Sequence, residues 1–222
     1  MGRAKEIIIK VVTSKVANAF VKKHHYSGKV VPNSTLHFGC FLDKRLHGVM
    51  SFGPSMMKKR MITLVKETGW NEFIELNRMA FDNFLPKYSE SRCISVAMKL
   101  IKKNAPHIKW VVSFADGTQC GDGTIYRASG FKLVDIKKNY TIWEKNGIQM
   151  PCMQLFHHKM INPRKEGWKQ VEGYMFKYIY FIDKNMISNL TQSIIPFSEI
   201  DKIGAGMYKG KKITLKERQM RV

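Results

Sequence analysis

Asp116 follows an apolar run, IKWVVSFA at residues 108 to 115, and precedes a glycine-bearing loop from Gly117 to Gly123. So continuous an apolar run reads as a strand buried on both faces, which places this carboxylate where a central strand opens into a loop. Ligands in open α/β sheets gather at that edge, and a carboxylate there can accept a hydrogen bond and then a proton from a reacting group. The competing role is structural, an Asx turn or cap for the loop that follows. Ser113 and Tyr126 flank the turn and are candidates to orient a substrate or stabilise developing charge. His25 and Tyr26, after the first predicted helix, are candidate acid/base or substrate-positioning groups, with a solvated pair in a basic loop as the alternative. Arg78 and Arg92 can each hold a phosphate or carboxylate in bidentate fashion, or be solvated on the surface.

The elements that must position these side chains follow from periodicity. Residues 5 to 12 read as a β-type run, and residues 14 to 23 as a helix with Ser14 as cap and Val16, Phe20 and Val21 on one side. Residues 36 to 42 and 46 to 52, parted by Asp43, Lys44 and Arg45, read as an antiparallel hairpin. A strand at 72 to 81 is followed by a helix capped by Ser89 and running from about Glu90 to Asn104. After the central strand and its loop comes a short helix through Tyr126 and Ala128, with Gly130 at the positive-φ position beyond its end. Residues 131 to 143 are a strand, 144 to 172 a polar, proline-interrupted insertion, and 174 to 183 an aromatic-rich strand expected to pair beside it. This order resembles the GNAT acyltransferase fold, an α/β (α+β) mixed sheet with splayed central strands. One domain over residues 1 to 222 is expected, with a basic C-terminal extension at 200 to 222.

Composition narrows the partner. Lys and Arg number 38 against 17 Asp and Glu, a net charge of +21. Each cation that neutralises a phosphate releases a condensed counterion, so a nucleic acid is the natural ligand. Lys22, Lys23, Lys209, Lys211 and Lys212 are the candidate DNA-binding residues. With 44% hydrophobic and 11% aromatic residues the chain can bury a core, which argues against disorder. No apolar stretch reaches the roughly eighteen residues of a membrane span, and the start does not read as a secretory signal. The expected location is the cytoplasm. Cys40, Cys93, Cys120 and Cys152 show no CxxC pair and no zinc spacing, so reduced thiols are expected.

Residues 110 to 131, WVVSFADGTQCGDGTIYRASGF, resemble the signature of the phage Mom family: a strand ending in S-x-A-D, a glycine-rich loop and an I-Y-x-A helix. HHYSG at 24 to 28, ELNRM at 75 to 79, SESR at 89 to 92 and EGYMFKYIYFIDK at 172 to 184 carry the resemblance further, over roughly residues 20 to 200. It implies a transferase that converts adenine in double-stranded DNA to an N6-carbamoylmethyl form, shielding phage DNA from host restriction. Adenine's exocyclic amine is a weak nucleophile and is paired and stacked in a duplex, so the base must be extruded and held on aromatics. Tyr26, Phe114 and Tyr126 are the candidates, each with a core role as alternative. Asp116 would then take the amine proton.

GNAT enzymes bind the coenzyme A pyrophosphate on a glycine-rich helix start. Here the corresponding helix begins Tyr88, Ser89, Glu90, Ser91, Arg92, with no glycine, and Gly121-x-Gly123 comes one strand later. Ser89, Ser91, Arg92, Gly121, Gly123 and Arg78 are nevertheless the candidate donor-binding residues. The donor is expected to be glycine-derived or acyl, an aminoacyl-tRNA or an acyl-CoA, which makes tRNA a further candidate partner. Iron is associated with the family, but the adjacent pairs His24–His25 and His157–His158 do not have chelating spacing. Two other functions compete: a noncatalytic basic nucleic-acid-binding protein, and a GNAT acetyltransferase acting on small or peptide amines. A methyltransferase lacks its motifs here.

Overall fold

The Thr13 hydroxyl accepts the N–H of Val16, 3.4 Å away, and so caps the first helix one residue earlier than the sequence suggested. In the computed structural model, which describes residues 3–118, 121–205, 207–208 and 211–212, the elements run in the expected order. They are β1 (Ile8–Val11), α1 (Ser14–His24), β2 (Leu36–Leu42), β3 (Arg45–Gly53), α2 (Lys58–Met61), β4 (Phe73–Phe81) and α3 (Ser89–Asn104). Then come β5 (Trp110–Asp116), α4 (Thr124–Ala128), β6 (Lys132–Lys145), β7 (Ile148–Pro151), α5 (Cys152–His158), β8 (Lys169–Phe181) and α6 (Ser198–Lys202). Two short strands, β9 (Met207–Tyr208) and β10 (Lys211–Lys212), pair with each other.

Eight strands form one mixed sheet in the order β1-β2-β3-β4-β5-β8-β6-β7, the α/β mixed architecture predicted. Backbone contacts divide the chain into two compact units. The first comprises Met1–Ser113, Ile125–Val134 and Tyr178–Ile194; the second comprises Phe114–Thr124, Asp135–Lys177 and Ile195–Val222.

In the first unit β1 to β4 are antiparallel neighbours. The β2–β3 hairpin turns on Asp43 and Lys44, both at positive φ, so the loop is one residue shorter than expected. Val49 and Ala80, on adjacent strands, pack under Ala17, Phe20 and Val21 of α1. Cys40 points to the opposite face, where Cys93 of α3 meets it; that hydrogen bond and burial push the Cys40 thiol well above its usual range. Helices therefore cover both faces, and Cys40, Cys93 and Cys152 are free thiols.

The central strands splay. β4 and β5 pair in parallel over only three residue pairs, Phe73 with Trp110, Ile74 with Val111 and Glu75 with Val112. At the parting, the buried Ser113 hydroxyl donates to the Leu76 carbonyl at 3.3 Å. On its other side β4 carries a bulge: Ser51 pairs with Arg78 and Phe52 with Leu76, leaving Asn77 as the extra residue. Ser89 is not the cap of α3 but its first residue; Tyr88 holds the cap position with φ 71° and no side-chain bond to the helix. In the second unit, the predicted insertion folds into β7, paired with β6, and α5. β8 begins at Lys169, five residues before the strand that the sequence suggested.

Candidate active-site residues

The loop after β5 turns on the Asp116 carboxylate. Its Oδ1 accepts the backbone N–H of Thr118 at 2.9 Å, an Asx turn, and the side-chain amide of Asn139 on β6 at 3.1 Å. Its backbone carbonyl accepts from Gly121 N–H at 3.2 Å. Asn139, 4% exposed, passes the linkage on, since its Oδ1 accepts both the hydroxyl and the N–H of Thr141, at 2.7 and 3.1 Å. The turn is packed tightly from β8: Gly117 N–H donates to the Tyr174 carbonyl at 2.7 Å, and Gly173 lies so close to Thr118 that no side chain fits between them. Gly121 and Gly123 take φ of 108° and 78°, which suits them to shaping a loop. Asp116 itself is partly exposed, so the turn holds the carboxylate in a defined place without sealing it from solvent.

A second group lies in the first unit. His25 holds the cap position just after α1, and its Nδ1 accepts the Ser27 N–H at 3.1 Å and lies 2.8 Å from the Ser27 hydroxyl. A ring nitrogen that accepts a backbone N–H carries no proton, so the neutral imidazole has its hydrogen on Nε2. Burial, and secondarily the charge of Arg78, push the His25 pKa down to about 4. The exposed Tyr26 ring lies 4.3 Å from the imidazole. Arg78 holds this loop from below, donating through Nε to the Lys29 carbonyl at 3.0 Å and through Nη1 to the Asn77 carbonyl at 2.8 Å. Glu75 stands three residues away on the same strand. Burial pushes its carboxyl up, against the opposing influence of Ser55, Asn77 and the Arg78 charge. Tyr126 is buried in an aromatic cluster with Phe131 and Tyr178, each ring centroid 5.3 Å from its own.

His25 has a consequence for stability. Its folded pKa near 4 lies below the reference 6.5, so above pH 6.5 neither state binds the proton. As pH falls from 6.5 to 4, the unfolded chain takes up a proton that the folded chain refuses, and stability is lost. The expected loss is about 2 kcal/mol after discounting for partial exposure. Denaturant melts across this window should show it in the wild type and not in His25→Asn; equal pH dependence in the two proteins would contradict the assignment.

The remaining sequence-selected residues do not gather in one place. Ser89 and Ser91 donate their hydroxyls to the backbone carbonyls of Pro86 and Tyr88. Arg92 ties down the N-terminal turn through the carbonyls of Ala4 and Lys5, at 2.9 and 3.2 Å. With those donors engaged and no glycine present, the start of α3 does not fit a pyrophosphate cradle. Lys22 and Lys23 are exposed on the last turn of α1. Lys209 lies outside the described residues, and Lys211 and Lys212 are described in backbone only. Among the described residues no three His, Cys, Asp or Glu side chains come together as a metal site, so they do not fit iron. No described helix is long and apolar enough to cross a membrane.

Sequence reasoning missed Asn139, Thr118, Gly173 and Glu75. Glu75 stands in the ELNRM segment, from which only Arg78 was selected. Gly173 stands in EGYMFKYIYFIDK, where glycine inside a strand signals close backbone approach. Asn139 had no local signal, because folding alone brings it to Asp116.

A family model described as the Mom protein family matches residues 6–199. A curated relative, the methylcarbamoylase mom of Escherichia phage Mu, is 34% identical over 165 residues, covering 74% of this chain and 65% of that protein. The match thus spans slightly less than two thirds of the phage Mu protein. Among solved structures, a Bacillus subtilis acetyltransferase in complex with CoA is 12% identical with a TM-score of 0.49, over 79% of this chain and 98% of that one. The ribosomal-protein-S18-alanine N-acetyltransferase of Escherichia coli is 9% identical with a TM-score of 0.47, over 79% and 94% of the two chains.

Proposed function

Because the chain belongs to the Mom protein family, we propose that it is a transferase that adds a carbamoylmethyl group to N6 of adenine in DNA and so shields that DNA from restriction endonucleases. The family match across residues 6–199, which contains the whole Asp116 turn, is the observation that carries this reading. The relative named as a methylcarbamoylase supports the group transferred.

In this mechanism the adenine leaves the stack and its amine meets the Asp116 carboxylate. The amine lone pair is delocalised into the ring, so a bond from N6 to carbon builds positive charge on nitrogen. Asp116 takes the proton as that bond forms, and the leaving group departs with its electron pair. The Asx turn and Asn139 hold the carboxylate at Oδ1, a preorganisation that avoids rearrangement during reaction. In the first unit, by itself, Arg78 keeps in place the loop that carries neutral His25 and the exposed Tyr26 ring. The net charge of +21 attracts duplex DNA, with Lys22 and Lys23 among its phosphate contacts. The donor is glycine-derived or acyl, bound elsewhere than at the start of α3.

Co-expression with a plasmid tests this directly. The recovered DNA, digested to nucleosides, should yield deoxyadenosine carrying the mass of a carbamoylmethyl group. Unmodified deoxyadenosine beside abundant folded protein would leave a noncatalytic DNA-binding protein as the better account.

A further inference from the structure

The second unit contains a cavity of about 420 Å³ that the Asp116 turn does not use. Tyr140, Trp143 and Phe156 give it aromatic walls, and Asn162, Arg164 and Gln170 give it polar ones. The volume lies within the range of small-molecule sites, and the combination of flat rings with amide groups suits a heteroaromatic ligand. Trp143 is 7% exposed, and its indole N–H has no partner among the described residues. A buried donor left unpaired is rare in folded proteins and commonly marks a missing ligand or water.

Tyr140 and Phe156 are each 43% exposed, and both line this one cavity, so their ring faces are accessible from it. Position favours the same conclusion. Thr141 lines the cavity and is bonded to Asn139, which in turn holds Asp116. Polarity selects among flat ligands. Arg164 and Lys165 are exposed on the loop that frames the cavity, and Lys137, Lys138 and Lys169 are exposed on β6 and β8. An aromatic-walled pocket in a cationic setting is the arrangement that stacks a base while holding its phosphates.

We propose that this cavity receives an unstacked nucleobase of a DNA strand, held between the exposed Tyr140 and Phe156 rings, with the adjoining phosphate on Arg164. The inference rests on the reading of DNA as substrate. It concerns binding alone, so it can fail or hold independently of the modification chemistry.

The test uses the full chain and two duplexes, one fully paired and one carrying the fluorescent base 2-aminopurine opposite an abasic site, where extrusion costs little. The wild type should bind the unpaired-base duplex about tenfold more tightly, with a change in 2-aminopurine emission on binding. Phe156→Ala and Tyr140→Ala should each remove most of that preference, leaving affinity for the paired duplex unchanged. Both rings are half exposed, so neither truncation opens the core; Trp143→Phe, which keeps the packing and removes only the N–H, should weaken the preference severalfold. A preference that survives both ring truncations, or a wild type that does not distinguish the duplexes, overturns the proposal. So does a response confined to an RNA oligonucleotide of the same sequence. Absence of modified deoxyadenosine in the plasmid experiment, with this preference intact, would remove the enzymatic reading and leave the pocket standing.

Discussion

Asp116→Asn is expected to lower adenine modification by about a thousandfold while leaving DNA affinity near that of the wild type. The substitution keeps the shape of the side chain. An asparagine Oδ1 still accepts from the Thr118 N–H and from the Asn139 amide, bonds of 2.9 and 3.1 Å that help to hold the turn. What disappears is the oxygen that can receive a proton, replaced by an amide that already carries two. If the carboxylate only shaped the loop, the variant would be nearly as active as the wild type, and its product yield in the plasmid experiment would say so. DNA affinity supplies the control: it arises from phosphate neutralisation spread over a surface of net charge +21, which this change raises by one. Loss of affinity, with a lowered Tm, would indicate a collapsed loop.

The parts of the fold that were legible are those written in periodicity. The run before Asp116 declared a buried strand, and the Asp43–Lys44 turn between two apolar runs declared a hairpin. Caps were legible to within one residue, because Thr13 and Ser14 each carry a hydroxyl oxygen that can accept a helix N–H and only geometry chooses between them. At α3 the neighbouring rule failed outright, since Tyr88 occupies a left-handed conformation that an aromatic residue seldom adopts. Within the polar, proline-interrupted insertion, β7 and α5 are too short for periodicity to announce them. The candidate site divides in the same way. Asp116 could be found because a strand end and a glycine loop flank it in sequence. Asn139 could not, since it meets Asp116 across 23 residues of chain through side-chain hydrogen bonding that no local pattern announces. The β4 bulge at Asn77, which lets Glu75 and Arg78 approach each other, is likewise a product of register.

Gly173→Ala shows how strongly the site depends on that packing. A methyl at this position would lie 2.0 Å from the Thr118 hydroxyl and 2.8 Å from its Cβ, far inside contact distance. Gly173 belongs to the interior of β8 and is buried, so the strand cannot yield without disturbing its neighbours. Thr118 must move instead, and its N–H is the group that closes the Asp116 turn. The expected cost is about 1–3 kcal/mol of stability from overpacking. Activity should fall more steeply than stability, by about a hundredfold, because a displacement near 1 Å at a catalytic group is enough for such a loss. Thr118→Gly in the same chain removes every atom of the clash and keeps the backbone N–H. The double variant should therefore recover activity relative to Gly173→Ala alone, even though each single change is harmful. Additive losses in that cycle, read from product yield and Tm together, would mean that Gly173 acts elsewhere than through Thr118 and the carboxylate it positions.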